Sequence, residues 1–277
     1  MSEFQALGGI LVGLILLGAV ELAIHRRRLA SIRYRIHVNG TRGKTSVTRF
    51  IAAGLRAGGI VTCAKTTGSL ARMLLPDGRE LPIYRPAGAN IMEQKRIVAV
   101  AAAHGAEALV IECMALQPLL QSLSEFKLVR ATHGVVTNAR PDHLEVMGPT
   151  DRHVAMALAG MIPAGAKLFT SEVKWRALFA AAAKDRGAEM VGVEAQAEDV
   201  AAAEQFSHVA HADNVALALA VCADIGVPRE VALEGMWAAA VDPGAMTERK
   251  VEFFGRQIVF VNGFAANDPV STEQVWE

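Results

Sequence analysis

The sequence predicts an α/β protein: a domain built on a parallel sheet covered by helices, one transmembrane helix before it, and a fragment of a second α/β domain after it. Three observations predict it. Short apolar runs ending in turn residues alternate with helical stretches between residues 33 and 225, as buried parallel strands and their crossover helices do. A glycine-rich turn carrying a lysine lies between the first such run and the first helix. An apolar segment near the N-terminus ends abruptly on arginines.

The 277 residues allow one or two domains and a substantial core. With 52 % apolar and 20 % charged side chains the chain can offset its ordering entropy by burial, which excludes a disordered protein. Lys and Arg (28) balance Asp and Glu (28), and this zero net charge argues against a nucleic-acid partner. Cys63, Cys113 and Cys222 are odd in number and far apart, so no disulfide framework is expected and a reducing compartment fits better.

Residues 6–24 read ALGGILVGLILLGAVELAI, broken only by Glu21. At about 1.5 Å per residue this run spans roughly 28 Å, close to the thickness of a hydrocarbon core. His25, Arg26, Arg27 and Arg28 follow at once, then Arg33 and Arg35, while only Glu3 precedes it. The positive-inside rule puts the N-terminus outside and everything after residue 25 in the cytosol. A cleaved signal peptide would carry its positive charge on the other side of the apolar run. A buried core helix is the other alternative, and the glycines at 8, 9, 13 and 18 with the arginine cluster fit a membrane span better. The expected organisation is an anchor at 1–28, a nucleotide-binding domain at 29–245 and an incomplete C-terminal domain at 246–277.

Within the central domain, residues 33–38 read as a strand and 44–57 as a helix, with a second strand at 60–65. Pro-Asp-Gly between apolar arms predicts a hairpin over 74–84. A helix is expected at 89–104. Continuous apolar runs at 108–112 and 134–137 read as buried parallel strands. Strands near 167–170 and 190–193 and helices near 173–183 and 213–225 complete the alternation. Residues 241–250, with Asp242-Pro243-Gly244, read as a linker; a strand pattern restarts at 251–261 and a helix at 269–277.

Asn39-Gly40-Thr41-Arg42-Gly43-Lys44-Thr45 follows a strand and opens a helix. Glycines there let backbone N–H groups curl around phosphate oxygens, and the helix N-terminus adds partial positive charge. Lys44 can reach the β- and γ-phosphates and the Thr45 hydroxyl can bind Mg²⁺. The full Walker pattern wants a glycine where this chain has Val38; the bland alternative is an ordinary strand-to-helix turn with a surface lysine. Glu112 ends a buried run, where it either pairs with a Mg²⁺ beside the loop or caps the following helix. Thr137-Asn138-Ala139-Arg140-Pro141-Asp142-His143-Leu144-Glu145 follows another buried strand, at the sheet edge where open α/β folds bind ligands. Asp142 and His143 are candidates for metal binding and for orienting a reacting phosphate, or else form a solvated turn.

NGTRGKT at 39–45, Glu112 after its strand and TNARPDHL at 137–144 resemble the central domain of the Mur ligase superfamily, the ATP-dependent amide ligases of peptidoglycan synthesis and folylpolyglutamate synthase. With PAGANIMEQ at 86–94, DHLEVMGPT at 142–150, DNVALALAV at 213–221, DPGAM at 242–246 and FVNGFAANDP at 260–269, nearly the whole chain is similar to the ligase subunits of poly-γ-glutamate synthases. The resemblance implies a Mur-ligase-like P-loop domain. It implies that residues 39–45 hold ATP, with Gly40, Gly43, Lys44 and Thr45 on the phosphates. Thr45 and Glu112 would hold one Mg²⁺ and His143 a second, making Lys44, Glu112 and His143 the catalytic set. Asn138 and Asp142 would shape the loop, and Asn214 would contact adenine.

The chain also departs from that pattern. Ala210-His211 replaces the family's His-Asn before Asn214, and residues 155–160 lack the carbamylated lysine that helps the second metal in many Mur ligases. Gly244-Ala245 stands for the linker Gly-Arg, with Arg249 as a substitute. Asn262 and Phe264 stand where an aspartate and a lysine or tyrosine open the C-terminal domain.

The implied chemistry is ATP-dependent activation of a γ-carboxylate as an acyl phosphate, followed by attack of a glutamate amino group. Arg72, Arg85 and Arg140 are candidates for binding substrate carboxylates, since arginine suits bidentate pairing; each could equally be a solvated arginine. Cys113 reads as a buried, inert thiol. The implied partners are glutamate and the poly-γ-glutamate chain, membrane lipid around residues 6–24, and other membrane subunits of a synthesis and export complex. The implied location is the plasma membrane, single-pass, with the catalytic domain cytoplasmic. A ligase of the same superfamily acting on a folate or cell-wall precursor, and a membrane-anchored ATP-binding subunit that does not itself ligate, are the alternatives.

Overall fold

In the computed structural model, which describes residues 3–68, 70–86, 88–242 and 247–262, eight strands form one sheet. They are β1 (Tyr34–Asn39), β2 (Thr62–Thr66), β3 (Arg72–Leu74), β4 (Glu80–Pro82), β5 (Ala108–Glu112), β6 (His133–Val136), β7 (Lys167–Thr170) and β8 (Glu189–Gly192). Their spatial order is β4-β3-β2-β5-β1-β6-β7-β8. All neighbours from β2 to β8 pair in parallel, and the β3–β4 hairpin is added antiparallel on β2.

Alternate residues of the central strands face opposite layers, so one sheet carries two cores. Ile36 and Val38 of β1 share a cluster with Ala108 and Val110 of β5, whereas Leu109 and Ile111 of β5 belong to another. Helix α1 (Glu3–Ser31) precedes the sheet. On the first face lie α2 (Lys44–Ala57) and, later in the chain, the closing helices; α3 (Glu93–Ala103) covers the other. Next come α4 (Pro118–Leu123), running into a π-helical turn at Ser124–Val129, then α5 (Leu144–Met147), α6 (Asp151–Ala159), α7 (Arg176–Asp185) and α8 (Ala197–Ala203). The helices α9 (Ala212–Ile225) and α10 (Arg229–Trp237) pack back on α2.

The first apolar helix does not stop at residue 28. It continues to Ser31, and its end is built into the domain: Leu29 and Ile32 are core residues, and buried His25 donates from Nε2 to the Leu128 carbonyl at 2.9 Å. The Arg35 guanidinium caps its last carbonyls, on Leu29 (3.1 Å) and Ile32 (2.6 Å), as a cation at a helix C-terminus should. The apolar part has a mean hydropathy of 2.4 and none of it is buried within the protein, which excludes a core helix.

Several elements differ from the sequence expectation, each for a local reason. The helix expected at 89–104 starts at Glu93, because Asn90 accepts the Met92 amide in a turn. β1 runs one residue beyond Val38, whose carbonyl accepts the Cys113 amide; Val38 is strand, and Gly40 makes the turn that a Walker glycine would make. The expected linker is strand from Thr247, since a separate antiparallel hairpin pairs β9 (Thr247–Phe253) with β10 (Arg256–Asn262). The expected helix at 269–277, Phe264 and Gly244-Ala245 lie outside the described residues, as do the side chains of Arg249 and Asn262.

Candidate functional site

The parallel strands end at one edge, in register: Val38 lies beside Glu112 and Asn39 beside Val136. The turn after β1 is folded so that only glycine fits twice. Gly40 has φ +135°, and a Cβ there would stand 2.0 Å from the Thr137 hydroxyl; Gly43 has φ +80°, and its Cβ would meet the Asn214 amide at 2.6 Å. Asn138 holds the turn between these points. Its Oδ1 accepts from the Thr41 hydroxyl (2.6 Å) and the Arg42 amide (3.1 Å), while its Nδ2 and the Thr137 hydroxyl donate to the Arg42 carbonyl (3.1 and 2.6 Å). Asn39 braces the other side, accepting the Gly40 amide at 2.9 Å and donating to Gln121 at 2.7 Å.

These bonds decide which amides face a ligand. Those of Gly40, Thr41 and Arg42 are taken up by Asn39 and Asn138. The first bond of α2 runs from the Val47 amide to the Gly43 carbonyl (2.9 Å), so the amides of Lys44, Thr45 and Ser46 precede the helical ladder and point out of its N-terminus. The anion-facing surface is therefore Gly43 and the first turn of α2, while Asn39, Thr41 and Arg42 give the loop its shape. Lys44 lies back across the turn, its ammonium donating to the carbonyls of Gly40 (2.7 Å) and Thr41 (3.1 Å).

Thr45, on that first turn, donates its hydroxyl to Glu112 at 3.0 Å. The same carboxylate oxygen accepts the Thr67 amide at 2.7 Å, so Glu112, only 2 % exposed, is held between α2 and the end of β2 and does not cap a following helix. The donors fit a small hard cation: a hydroxyl and a carboxylate oxygen in contact, beside amides shaped for phosphate, leave most of the coordination shell to phosphate oxygens and water, as Mg²⁺ prefers. Among the described residues no group of three or more His, Cys, Asp and Glu gathers, so no all-protein cage competes with that arrangement.

The segment after β6 contributes differently. His143 is exposed, has a left-handed backbone (φ +45°), and has Asp142 (3.8 Å) and Glu145 (3.4 Å) as its acidic neighbours. Asp142 in turn lies 3.7 Å from Arg42, so this segment leans on the loop through a charge pair. Arg140 is exposed; its amide donates to the Thr41 hydroxyl at 3.0 Å. Asn214 is buried behind Gly43 rather than exposed to solvent. Arg72 is half-buried on β3, with its Nε unpartnered. Arg85 is already engaged, its Nε and Nη2 on Glu93 at 2.7 and 2.9 Å.

Two buried groups escaped the sequence reading. Lys65, on β2 and fully buried, places its ammonium 3.1 Å from Glu93 and 3.3 Å from the Met114 sulfur. Burial pushes its pKa down, with Glu93 opposing. His37 lies on the face of β1 opposite Ile36 and Val38, with Nδ1 2.8 Å from Glu125. Burial disfavours its cation, but the Cys113 thiol and Glu125 outweigh it and the pKa rises to about 9. Cys113 thus does have an imidazole neighbour, though the thiol is itself buried, and all three cysteines are unpaired.

Residues 38–230 match the family model of the Mur ligase middle domain. The chain belongs to the Mur ligase family. Residues 248–277 match the model of the poly-gamma-glutamate synthase CapB C-terminal domain. Within the Mur ligases the chain is a homologue of CapB proteins: it is 40 % identical to the capsule biosynthesis protein CapB of Bacillus anthracis, over 96 % of this chain and 58 % of that protein. It is 36 % identical to the PGA synthase CapB of Bacillus subtilis (strain 168), over 95 % and 68 % respectively. The chain thus spans about three-fifths to two-thirds of the length of these relatives. Among solved structures, the bifunctional folylpolyglutamate synthase/dihydrofolate synthase from Yersinia pestis, complexed with AMPPNP and a Mn ion, shares the fold at a TM-score of 0.63 and 18 % identity, covering 81 % of this chain and 61 % of that one. As a Mur ligase, the chain places its glycine turn, Glu112 and the 137–145 segment at one edge of the shared fold.

Proposed function

We propose that this Mur ligase homologue is the ATP-dependent amide ligase of poly-γ-glutamate synthesis, working as a membrane-anchored subunit with its nucleotide site in the cytosol. The contact between Thr45 and Glu112 at the mouth of the glycine turn carries the reading, together with the similarity to CapB proteins. Gly43 and the first turn of α2 receive the ATP phosphates, Lys44 neutralises the β/γ end, and Asn214 backs the turn on the nucleoside side. Thr45 and Glu112 hold Mg²⁺, which when bound neutralises charge on the transferring phosphoryl group. His143, exposed on a left-handed turn, is the second candidate on the facing segment.

The reaction needs positioning and charge neutralisation more than a strong base. A γ-carboxylate oxygen attacks the γ-phosphorus of ATP and ADP leaves. The amino group of glutamate then attacks the resulting acyl phosphate, expelling phosphate and losing a proton, to give a γ-linked amide. Arg140, exposed beside the turn, and Arg85 are the candidate partners for substrate carboxylates, with Arg72 further along the same edge.

The anchor reading rests on α1. Its exposed apolar length matches a bilayer, and Glu21, the one charge within it, is neutralised by Lys95 of α3 at 2.8 Å, which sets the cytosolic boundary near that residue. The continuity of α1 into the core speaks against a signal segment that is cut away. The partners proposed are glutamate, the growing polymer and further membrane subunits.

The test is glutamate-dependent ATP turnover and polymer formation by the full-length protein in membranes, with and without its co-expressed partners. Lys44→Ala is expected to abolish both. Polymer synthesis that survives Lys44→Ala would refute catalysis at this site, and ATP turnover driven by a folate or a cell-wall precursor instead of glutamate would reassign the substrate.

A further inference from the structure

We propose that the crevice where α1 leaves the domain holds the head group of an anionic phospholipid, a proposal that rests on the membrane-anchor reading. The crevice measures about 680 Å³ and lies between α1, the π-helical turn and the loop at 164–166. Its walls are of two kinds. Leu22, Leu29 and Phe126 form an apolar side, and Arg26, Lys127 and Arg130 form a cationic mouth.

Three observations point to an anion of this kind. First, the charges are uncompensated: among the described residues no carboxylate pairs with Arg26, Lys127 or Arg130. Glu125, the acid lining the crevice, is committed to His37 (2.8 Å) and to the Ala131 amide (2.8 Å). Arg130 instead stands close enough to Arg35 for their like charges to repel.

Second, the backbone that carries the mouth is held in place. The Arg35 Nε donates to the Arg130 carbonyl at 2.9 Å while its Nη1 holds the end of α1, and His25 fixes the helix to Leu128. The three cations therefore project from a fixed frame, and binding has no backbone to reorder.

Third, the depth is right. Glu21 and Lys95 mark the hydrocarbon boundary, Leu22 lies at it, and Arg26 is four residues, about 6 Å, further along the helix. That is the thickness of one head-group layer, about 5–7 Å. An acyl chain can follow Leu22 while the phosphate meets Arg26, Lys127 and Arg130, whereas a soluble anion would leave the apolar wall unused. Basic pockets at the cytosolic ends of membrane helices bind lipid phosphates on the same principle.

The full-length chain, reconstituted in nanodiscs of equal phosphatidylglycerol and phosphatidylcholine and released into mild detergent, is read by native mass spectrometry for retained lipid. The expected result is retention of phosphatidylglycerol about a hundredfold over phosphatidylcholine, from three cations at about fivefold each near an anionic surface. The triple variant Arg26→Gln/Lys127→Gln/Arg130→Gln should fall to parity, and the single exposed-site reversal Lys127→Glu should cut the preference about 25-fold, two unit charges at about fivefold each. Arg27→Gln/Arg28→Gln, outside the crevice, should retain the preference. An unchanged preference in the triple variant, an equal loss in the Arg27/Arg28 control, or displacement of the lipid by millimolar inorganic phosphate would each overturn the proposal. Alkaline carbonate extraction separates the two readings: release of the wild-type chain from membranes removes the anchor and the crevice with it, whereas a retained chain without lipid preference removes the crevice alone.

Discussion

The Thr45 hydroxyl and the Glu112 carboxylate are 67 residues apart in sequence and 3.0 Å apart in space. Thr45 arrives on the first turn of a helix and Glu112 on the end of β5, the strand next to β2, and the Thr67 amide just beyond β2, at 2.7 Å, fixes the carboxylate from the far side. Lys65 and Arg85 are near enough to feel the Glu112 charge but neither bonds to it, and a hydroxyl and a carboxylate oxygen in contact make a good half-shell for a cation carried in with phosphate. Glu112→Gln keeps an acceptor for Thr67 and removes the charge. It is expected to leave thermal unfolding within a few degrees of wild type and to lower glutamate-dependent ATP turnover by about 10²-fold or more. A magnesium titration of turnover checks it: an unshifted magnesium requirement in Glu112→Gln would place the metal elsewhere.

The turn before Thr45 has room only for glycine at residue 40, and that can be measured. A Cβ at Gly40 would press on the Thr137 hydroxyl at 2.0 Å and on the Thr137 and Asn138 amides at 3.0 and 3.1 Å, with φ already at +135°. Gly40→Ala should cost about 2–4 kcal/mol in urea unfolding, combining a left-handed backbone penalty with a clash. Thr137→Ala alone loses the bond to Arg42 and should cost about 1 kcal/mol. The double variant should be less destabilised than the sum, since removing the hydroxyl relieves the nearest contact. Strict additivity would mean that the turn moves and the contact at Thr137 does not constrain it.

Arg85 poses a question of role. Its two bonds to Glu93 mean that a substrate carboxylate could bind it only by competing with that side chain. Lys65 also holds Glu93, at 3.1 Å, so Arg85→Ala leaves the acid paired and the fold intact. If Arg85 meets substrate, its loss raises the KM for glutamate by about tenfold with the KM for ATP unchanged, as expected for a charge-assisted contact. Glu93→Gln, which releases Arg85, should then lower the KM for glutamate. Equal increases in both variants would show that Arg85 only secures Glu93.

The glycine turn and Glu112 were legible in the sequence because their signals are local: a strand-turn-helix with glycines at two obligatory positions, and a carboxylate ending an apolar run. Lys65 was not, because TCAKT reads as an ordinary strand; only the sheet's burial on both faces, with Glu93 returning 28 residues later, makes it an interior charge. The helix at Pro118–Leu123 and its π turn were missed for a related reason. The turn exists because Glu125 points inward to His37 and the Ala131 amide, with the Arg130 amide bonding five residues back to the Glu125 carbonyl at 2.7 Å. A long-range buried pair overrides the 3.6-residue period there. The extension of α1 to Ser31 was likewise set by contacts of Leu29 and Ile32 that composition does not announce.

That buried pair makes the stability of the protein depend on pH in a predictable direction. His37 titrates near 6.5 in an unfolded chain and at about 9 here, the Cys113 thiol and Glu125 outweighing burial. A folded-state pKa above the unfolded value favours the native state fully below about 6.5, and that contribution is lost as the pH rises through 9. Thermal unfolding of the wild type should therefore shift downward between pH 6.5 and 9.5, by an amount corresponding to a few kcal/mol at about 1.4 kcal/mol per unit. His37→Gln can still donate a hydrogen bond to Glu125 but cannot titrate. It should be less stable at pH 6.5 and should show little change across the same window. A parallel decline in both proteins would assign the pH dependence to another group and leave His37 neutral in the core.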